Sequence, residues 1–289
     1  MSNNNMKQVR EYDDEPFVLC VIITYNSESY IDSCIQSIEK QLYHNKKILL
    51  IDNNSTDNVL KVVPDHIEFI KNNHNKGFAY AVNQGLLHGL YMGAKYIMIL
   101  NPDTVMEDNS LANLVKAAES DDQIGVVGPN IVDEVGVDAK CDNEQITNIN
   151  VSWICGCGML FRSKVVIDTG LFDTRYFLYY EETDYLLRMS RNNWKIIKCN
   201  NATMIHIGAA STKSMKTKAY FYLVRNIFVY SKKNMIREGL CKCIVLMCKD
   251  ALSKLYFPMH PLRLLAYIMG ILCGVIIFLA PVRIDGELI

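Results

Sequence analysis

Four short polar segments hold the residues most able to do chemistry: Thr24-Tyr25-Asn26, the DNNST run from Asp52 to Thr56, Asn101-Pro102-Asp103, and Glu181-Glu182-Thr183-Asp184. Asn101, Pro102 and Asp103 directly follow the strand-like YIMIL, so Asp103 projects from a rigid edge, where a carboxylate oxygen suits a hard Mg2+ or Mn2+ ion. His206, at the end of ATMIH, is a candidate second ligand. A carboxylate placed like Asp52 can accept the N3 hydrogen of a uracil or thymine ring, a donor that adenine lacks. Thr24, Tyr25 and Asn26 would frame that base, and Asn54 and Ser55 would bond the ribose or the neighbouring backbone. Glu181 and Glu182 follow the aromatic run RYFLYY, and partial desolvation plus a neighbouring like charge raises the proton affinity of one of them, as a general base requires. Together the segments describe a metal-bound nucleotide diphosphate beside a carboxylate base.

Each segment also has an ordinary structural reading. DNNSTDN alone is a capped loop, NPD a type I turn, and an acidic first turn is common helix chemistry. The stretch from Asn75 to Ala79 runs from loop into helix, where Gly77 allows close backbone approach and the helix amino end favours anions. It contains neither a dinucleotide glycine fingerprint nor a Walker lysine, and helix capping explains it equally well.

The decision rests on the elements that carry these segments. Val18 to Thr24 is a continuous apolar, β-branched run, as in a strand buried on both faces. A helix follows, with Ser27 or Ser29 as cap and Ile31, Ile35, Ile38 and Leu42 on its inner side. Lys47 to Ile51, Ile67 to Ile70 and Tyr96 to Leu100 read as further strands. Phe78 to Tyr91 reads as a helix with Ala81, Val82, Leu86 and Leu90 facing inward. Strands alternating with helices imply a mostly parallel sheet covered on both faces, with ligands beyond the carboxyl ends of its strands. Asn26, Asp52 and Asp103 all fall at such ends.

The chain has 289 residues, half of them hydrophobic and 21% charged, enough for one large α/β domain over 16–212 and an extension over 213–289. Residues 1–15 are polar, read as flexible and lack a secretory signal, so the expected compartment is the cytosol. The ten cysteines show no zinc-finger spacing, in either Cys155-Gly156-Cys157 or Cys241-Lys242-Cys243, and read as reduced thiols. The net charge of −1 hides an uneven distribution: Lys213 to Arg263 holds eleven Lys or Arg against two acids. That stretch is interleaved with aromatic and aliphatic runs, which suits an anionic lipid surface better than nucleic acid, although ordinary amphipathic helices account for it equally well. Leu264 to Val282 is free of charge and long enough to cross a hydrocarbon core, with Ala266, Gly270 and Gly274 at helix-packing spacing. Pro258, Pro261 and Pro281 bracket it, so a helix lying on the membrane is the alternative.

With these residues in view, the chain resembles glycosyltransferase family 2 with the GT-A fold, nearest to its rhamnosyltransferase-like and galactofuranosyltransferase-like branch. The resemblance covers roughly 17–211 and rests on VIITYN, LLIDNNSTD, NKGFAYAVNQG, LNPDT, WICGCGMLFR with GLFD, FLYYEETDYLLR and the IHIG histidine. It implies a Rossmann-like nucleotide-sugar domain with Thr24, Tyr25, Asn26, Glu28 and Asp52 on the nucleotide. Asn54, Asn75, Gly77, Asn83 and Asn101 complete the donor set. It implies further that Asp103 and His206 hold Mg2+ or Mn2+, that Glu182 is the base, and that Glu181, Trp153 and Gly156 bind the acceptor. Two positions depart from the family pattern: Asn101 replaces the first acid of the metal motif, and Glu182 replaces the commoner Asp.

The implied activity is inverting hexosyl transfer from a UDP- or dTDP-sugar, with dTDP-rhamnose a candidate. The acceptor would be a saccharide on a lipid-linked glycan, at the cytoplasmic side of the membrane, in synthesis of a surface polysaccharide such as O-antigen or capsule. Two rivals remain. One is a membrane-attached sugar-nucleotide binder without turnover, motivated by the two departures. The other is a nucleotidyltransferase, disfavoured because TYNSES contains no basic residue.

Overall fold

The computed structural model describes residues 15–133, 148–208, 216–234 and 261–280. Outside that range fall the expected flexible segment except Glu15, the Cys241 and Cys243 thiols, Pro258, Pro281 and Val282. The strands are β1 (Val18–Thr24), β2 (Lys46–Asp52), β3 (Glu68–Lys71), β4 (Tyr96–Leu100), β5 (Thr104–Met106), β6 (Ile124–Asp133), β7 (Asn148–Asn150), β8 (Gly158–Arg162) and β9 (Lys195–His206). The helices are α1 (Ile31–Glu39), α2 (Val59–Val62), α3 (Phe78–Tyr91), α4 (Ser110–Glu119), α5 (Ser163–Thr169), α6 (Glu181–Arg191), α7 (Lys216–Lys233) and α8 (Pro261–Leu279).

The strands form one sheet in the order β3-β2-β1-β4-β8-β6-β9-β5, with β7 on β9. The first four are parallel, as the alternating elements require. Beyond β4 the sheet becomes mixed: β8 runs antiparallel to both β4 and β6, β6 is parallel to β9, and β5 and β7 are antiparallel to β9. Helices cover both faces, so β1 is buried at every position. Val18, Cys20 and Ile22 enter the core with Ile35, Leu50 and Leu114, while Leu19, Val21 and Ile23 enter the core with Val82, Leu86 and Phe161.

Two local expectations are corrected. Helix α1 ends at Glu39, leaving Leu42 beyond it and 57% exposed. No serine side chain caps this helix. The Ser27 carbonyl accepts from Tyr30 and Ile31, and the Ser27 hydroxyl is bonded to Thr24 instead.

Helices α7 and α8 pack against each other. Gly274 sits so close to Phe228 that a Cβ there would lie 2.3 Å from its ring, and Gly270 meets the Phe221 carbonyl and Val224. The small-residue ridge thus faces a helix of the same chain. On the opposite side Leu262, Leu265, Met269, Leu272, Ile276 and Leu279 form an exposed apolar stripe. The 18 residues Leu262–Leu279 have a mean hydropathy of 2.4, long and apolar enough to cross a membrane.

Candidate active site

The carboxyl ends of β1 and β4, the loops after β2 and β3, the turn before β8, the end of β9 and the start of α6 close around one cavity of about 240 Å3. It is lined by Thr24, Tyr25, Asn75, Gly77, Asn101, Asp103, Gly156, Glu181, Glu182 and His206 from the expected set. Four separated segments of chain meet there because a parallel sheet places all its carboxyl ends on one edge.

Asp103 and His206 are brought together by the sheet. Thr104 pairs with His206 across β5 and β9, and the Ile207 N–H donates to the Asp103 carbonyl at 3.0 Å. His206 Nε2 then stands 3.3 Å from Asp103 Oδ1. Asn101 is fixed alongside: its N–H donates to the Cys157 carbonyl and its own carbonyl accepts from the Thr104 hydroxyl at 2.7 Å.

The remaining expected donor residues are placed differently. Asp52 is fully buried, and its carboxylate accepts the Ser55 N–H at 3.0 Å and the Ser55 hydroxyl at 2.5 Å. Asn26 and Asn54 both have left-handed backbone, φ 51° and 66°, a conformation that Asn tolerates better than most residues. Asn26 also ties two loops together, its N–H donating to Ser55 Oγ and its side-chain oxygen accepting from Thr56. Glu28 does the same through the Asn58 N–H. Asn83 lies away from the cavity, exchanging two hydrogen bonds with the Phe172 backbone.

Asn53 is the residue that sequence reasoning passed over. It is buried at the cavity wall, and its side-chain nitrogen donates to Asn75 Oδ1 and to the Gly77 carbonyl, each at 3.0 Å. Its only signal was its place inside the DNNST turn. The amino end of α3 is also partly used within the protein: the Gly77 N–H donates to Asn75 Oδ1 and the Phe78 N–H to the Phe177 carbonyl. Close approach at Gly77 (φ 91°) is therefore to Phe177, whose carbonyl oxygen would lie 2.5 Å from an added Cβ.

The two carboxyls owe their position to a strained turn. Tyr179 and Tyr180 both have left-handed backbone, φ 68° and 73°, immediately before α6. The side chain of Asn226, fully buried on α7, donates to the Leu178 and Tyr179 carbonyls at 2.9 and 2.8 Å and holds that turn. One turn into α6, Asp184 is buried between Arg188 at 3.0 Å and Lys233 of α7 at 2.8 Å, fastening the helix from below. The i, i+4 pair to Arg188 is the one the sequence spacing suggests.

Glu181 is 5% exposed, and its Oε2 has no hydrogen-bond partner among the described residues. Burial, then the charge of Glu182, pushes its carboxyl well above the usual range. Glu182 is raised as well, chiefly by burial, while the indole N–H of Trp153 faces it and favours its ionised form. Gly156 completes this wall, its side-chain position 3.8 Å from the Glu182 carboxyl carbon. Beside it the Cys157 thiol pulls the pKa of the Cys155 thiol down to about 6. Because folding raises the Glu181 pKa, the folded state binds more protons, and stability falls as pH rises from the unfolded pKa toward the folded one. Glu181→Gln should accordingly raise the Tm at pH 7 to 8 relative to the parent chain, with the gain vanishing near pH 4, in parallel thermal melts.

Residues 19–170 match the family model described as Glycosyl transferase family 2. A protein of Escherichia coli, UDP-Glc:alpha-D-GlcNAc-diphosphoundecaprenol beta-1,3-glucosyltransferase WfgD, is 28% identical over 69% of this chain and 77% of its own length. An uncharacterized glycosyltransferase of Haemophilus influenzae is 32% identical over 44% of this chain, and poly-beta-1,6-N-acetyl-D-glucosamine synthase of Staphylococcus aureus is 23% identical over 59%. The chain spans only 39% and 45% of the length of those two relatives. Among solved structures, the mannosyltransferase PcManGT of Pyrobaculum calidifontis, in complex with GDP-Man and Mn2+, has a TM-score of 0.58 at 14% identity, covering 98% of this chain and 95% of its own. S. aureus TarS 1–349 in complex with UDP-GlcNAc has a TM-score of 0.56 at 15% identity, covering 74% of this chain and 66% of its own.

Proposed function

We propose, from the premise that this chain belongs to glycosyl transferase family 2, that it moves a sugar from a UDP- or dTDP-sugar to a saccharide hydroxyl with inversion at the anomeric carbon. The observation that carries the reading is that Asp103, His206 and Glu182 line one cavity at the carboxyl edge of the sheet. A carboxylate oxygen just before β5 and an imidazole nitrogen at the end of β9, 3.3 Å apart, are a donor pair that fits a divalent cation. Asp103 and His206 would hold Mg2+ or Mn2+, with diphosphate oxygens and water as the other ligands. When bound, the ion supplies charge stabilisation to the departing diphosphate.

Glu182 takes the proton of the acceptor hydroxyl, whose oxygen attacks the anomeric carbon from the face opposite the diphosphate. The carbon–oxygen bond to the diphosphate breaks, and its electron pair leaves with that group. Burial pushes the Glu181 carboxyl well above the usual range, and in its uncharged form it can hydrogen-bond an acceptor hydroxyl without repelling the ionised Glu182. Thr24, Tyr25 and the Asn53–Asn75 pair form the donor wall. Asp52 acts on the donor indirectly, by setting the turn through Ser55.

A lipid-linked acceptor is supported by the diphosphoundecaprenol-linked substrate in the name of the E. coli relative and by the apolar stripe of α8. Because α8 packs along α7, which is itself fastened to the catalytic helix, the helix suits a position flat on the cytoplasmic membrane surface better than a crossing.

The test is release of nucleoside diphosphate from a panel of UDP- and dTDP-sugars by the full chain with Mg2+ or Mn2+. At least one donor should be hydrolysed slowly, and Asp103→Ala should weaken metal-dependent donor binding by at least roughly tenfold. Binding without turnover of any donor, with or without saccharide acceptors, would replace this reading by the non-catalytic binder.

A further inference from the structure

A second cavity, of about 640 Å3, lies on the other side of α6, lined on one wall by Thr183, Leu187 and Ser190. These stand at helical spacing on one stripe, one residue past Glu182, so α6 partitions the two cavities. The facing wall is the segment Asn150 to Trp153 after β7, and Trp194 with Tyr230 of α7 complete the lining. The volume falls within the range of about 300–1,000 Å3 typical of ligand pockets.

Trp153 stands between the two spaces: it lines the second and is 48% exposed, and three residues on, Gly156 lines the first against Glu182. We infer that the acceptor site continues past Glu182 into this groove, which holds the next sugar unit of an oligosaccharide acceptor. The inference rests on the glycosyltransferase reading and deepens it by naming the acceptor class.

The lining decides the class of ligand. A pyranose presents an apolar C–H face and a rim of hydroxyls, and the groove offers three aromatic side chains with hydroxyl and amide groups between them. Asn150 and Ser152 are exposed and Thr183 is half-buried, so their polar groups are within reach of a ligand in the groove. Among the described residues no carboxylate lines the groove, and the one cation there, Lys195, is paired with Asp121 at 2.6 Å. That balance favours a neutral polar ring over a second nucleotide. The hydroxyl and amide rim disfavours a hydrocarbon chain.

The protein contains two tryptophans, Trp153 and Trp194, and both line this groove. Tryptophan emission of the full chain therefore reports on it. The probes are methyl glycosides of mono-, di- and trisaccharides in gluco, galacto and N-acetylated forms, titrated under excitation selective for tryptophan. Saturable emission changes are expected with di- or trisaccharides at concentrations at least tenfold below those needed for the monosaccharides. Ser190→Arg, which fills the groove from the exposed side of α6, should abolish that preference. Trp194→Phe keeps an aromatic ring in the groove, leaves Trp153 as the sole reporter and should retain the preference; a parental circular dichroism spectrum for Ser190→Arg guards against a folding defect in that variant.

Equal responses to mono- and disaccharides, no response to any member, or an unaltered preference in Ser190→Arg would overturn the inference. Transfer assays separate the two levels. Donor turnover that a longer acceptor does not accelerate removes the groove and leaves the transferase reading standing. Absence of any donor turnover removes both.

Discussion

Glu182→Gln is expected to lower sugar transfer by roughly 10^2- to 10^4-fold, the usual contribution of a positioned general base, while donor affinity stays within a small factor of the parent chain. The amide keeps the size of the side chain and its contact with Trp153, so the loss isolates proton removal. The pH profile supplies the control. Burial raises the Glu182 pKa above its ordinary value of 4.5, and the base acts ionised, so kcat/KM for the acceptor should climb with pH along a limb above pH 4.5. That limb belongs to the Glu181–Glu182 pair as a unit. Residual turnover in the glutamine variant should lack it. Unchanged transfer in Glu182→Gln, measured beside isothermal donor binding, would remove this residue from the reaction.

The second large effect is expected at a residue with no side chain. Gly77→Ala places a methyl group 2.5 Å from the Phe177 carbonyl oxygen and 2.8 Å from its Cα, at a backbone angle that L residues rarely adopt. Something must move, and what moves is shared by both halves of the site. Phe177 stacks on Tyr222 of α7 with ring centroids 4.8 Å apart, and the next residues form the strained turn held by Asn226. Displacement of about 1 Å at reacting groups costs on the order of 10^2-fold in rate. Gly77→Ala should therefore reduce kcat by about that factor and raise KM for donor and acceptor alike. A variant that folds with the parental circular dichroism spectrum and parental kinetics would show that the two halves are independent.

Much of this arrangement was legible in the residues because the relevant signals are local. The strand Val18–Thr24 and the helix Phe78–Tyr91 have the bounds that periodicity suggests. A carboxylate following an apolar strand must appear at the sheet edge, and this brought Asp103 and His206 to one place. Local reasoning fails where a short polar side chain has a nearer partner than a ligand. Asp52 closes onto Ser55 three residues away, and Asn83 reaches the Phe172 backbone 89 residues later, a distance no pattern announces. The antiparallel insertion of β8 between β4 and β6 is equally silent, since an apolar strand buried on both faces looks the same in either direction. Asn226 was hidden for another reason: in a stretch rich in Lys, Arg and aromatics, one amide offers no periodicity to read.

Helix α7 has two clients. Its Asn226 edge holds the turn that aims the carboxyls, and its Val224 and Phe228 edge is covered by α8. Trimming the chain before Pro261, the obvious way to rid a preparation of its greasy tail, would uncover that second edge and leave Lys232 without the Ile277 and Ala280 carbonyls it caps. The shortened protein would exchange one adhesive surface for another, seated directly behind the Tyr179–Tyr180 turn. A water-soluble version is better sought by placing polar side chains along the Leu265, Leu272 and Ile276 ridge with α8 kept in place.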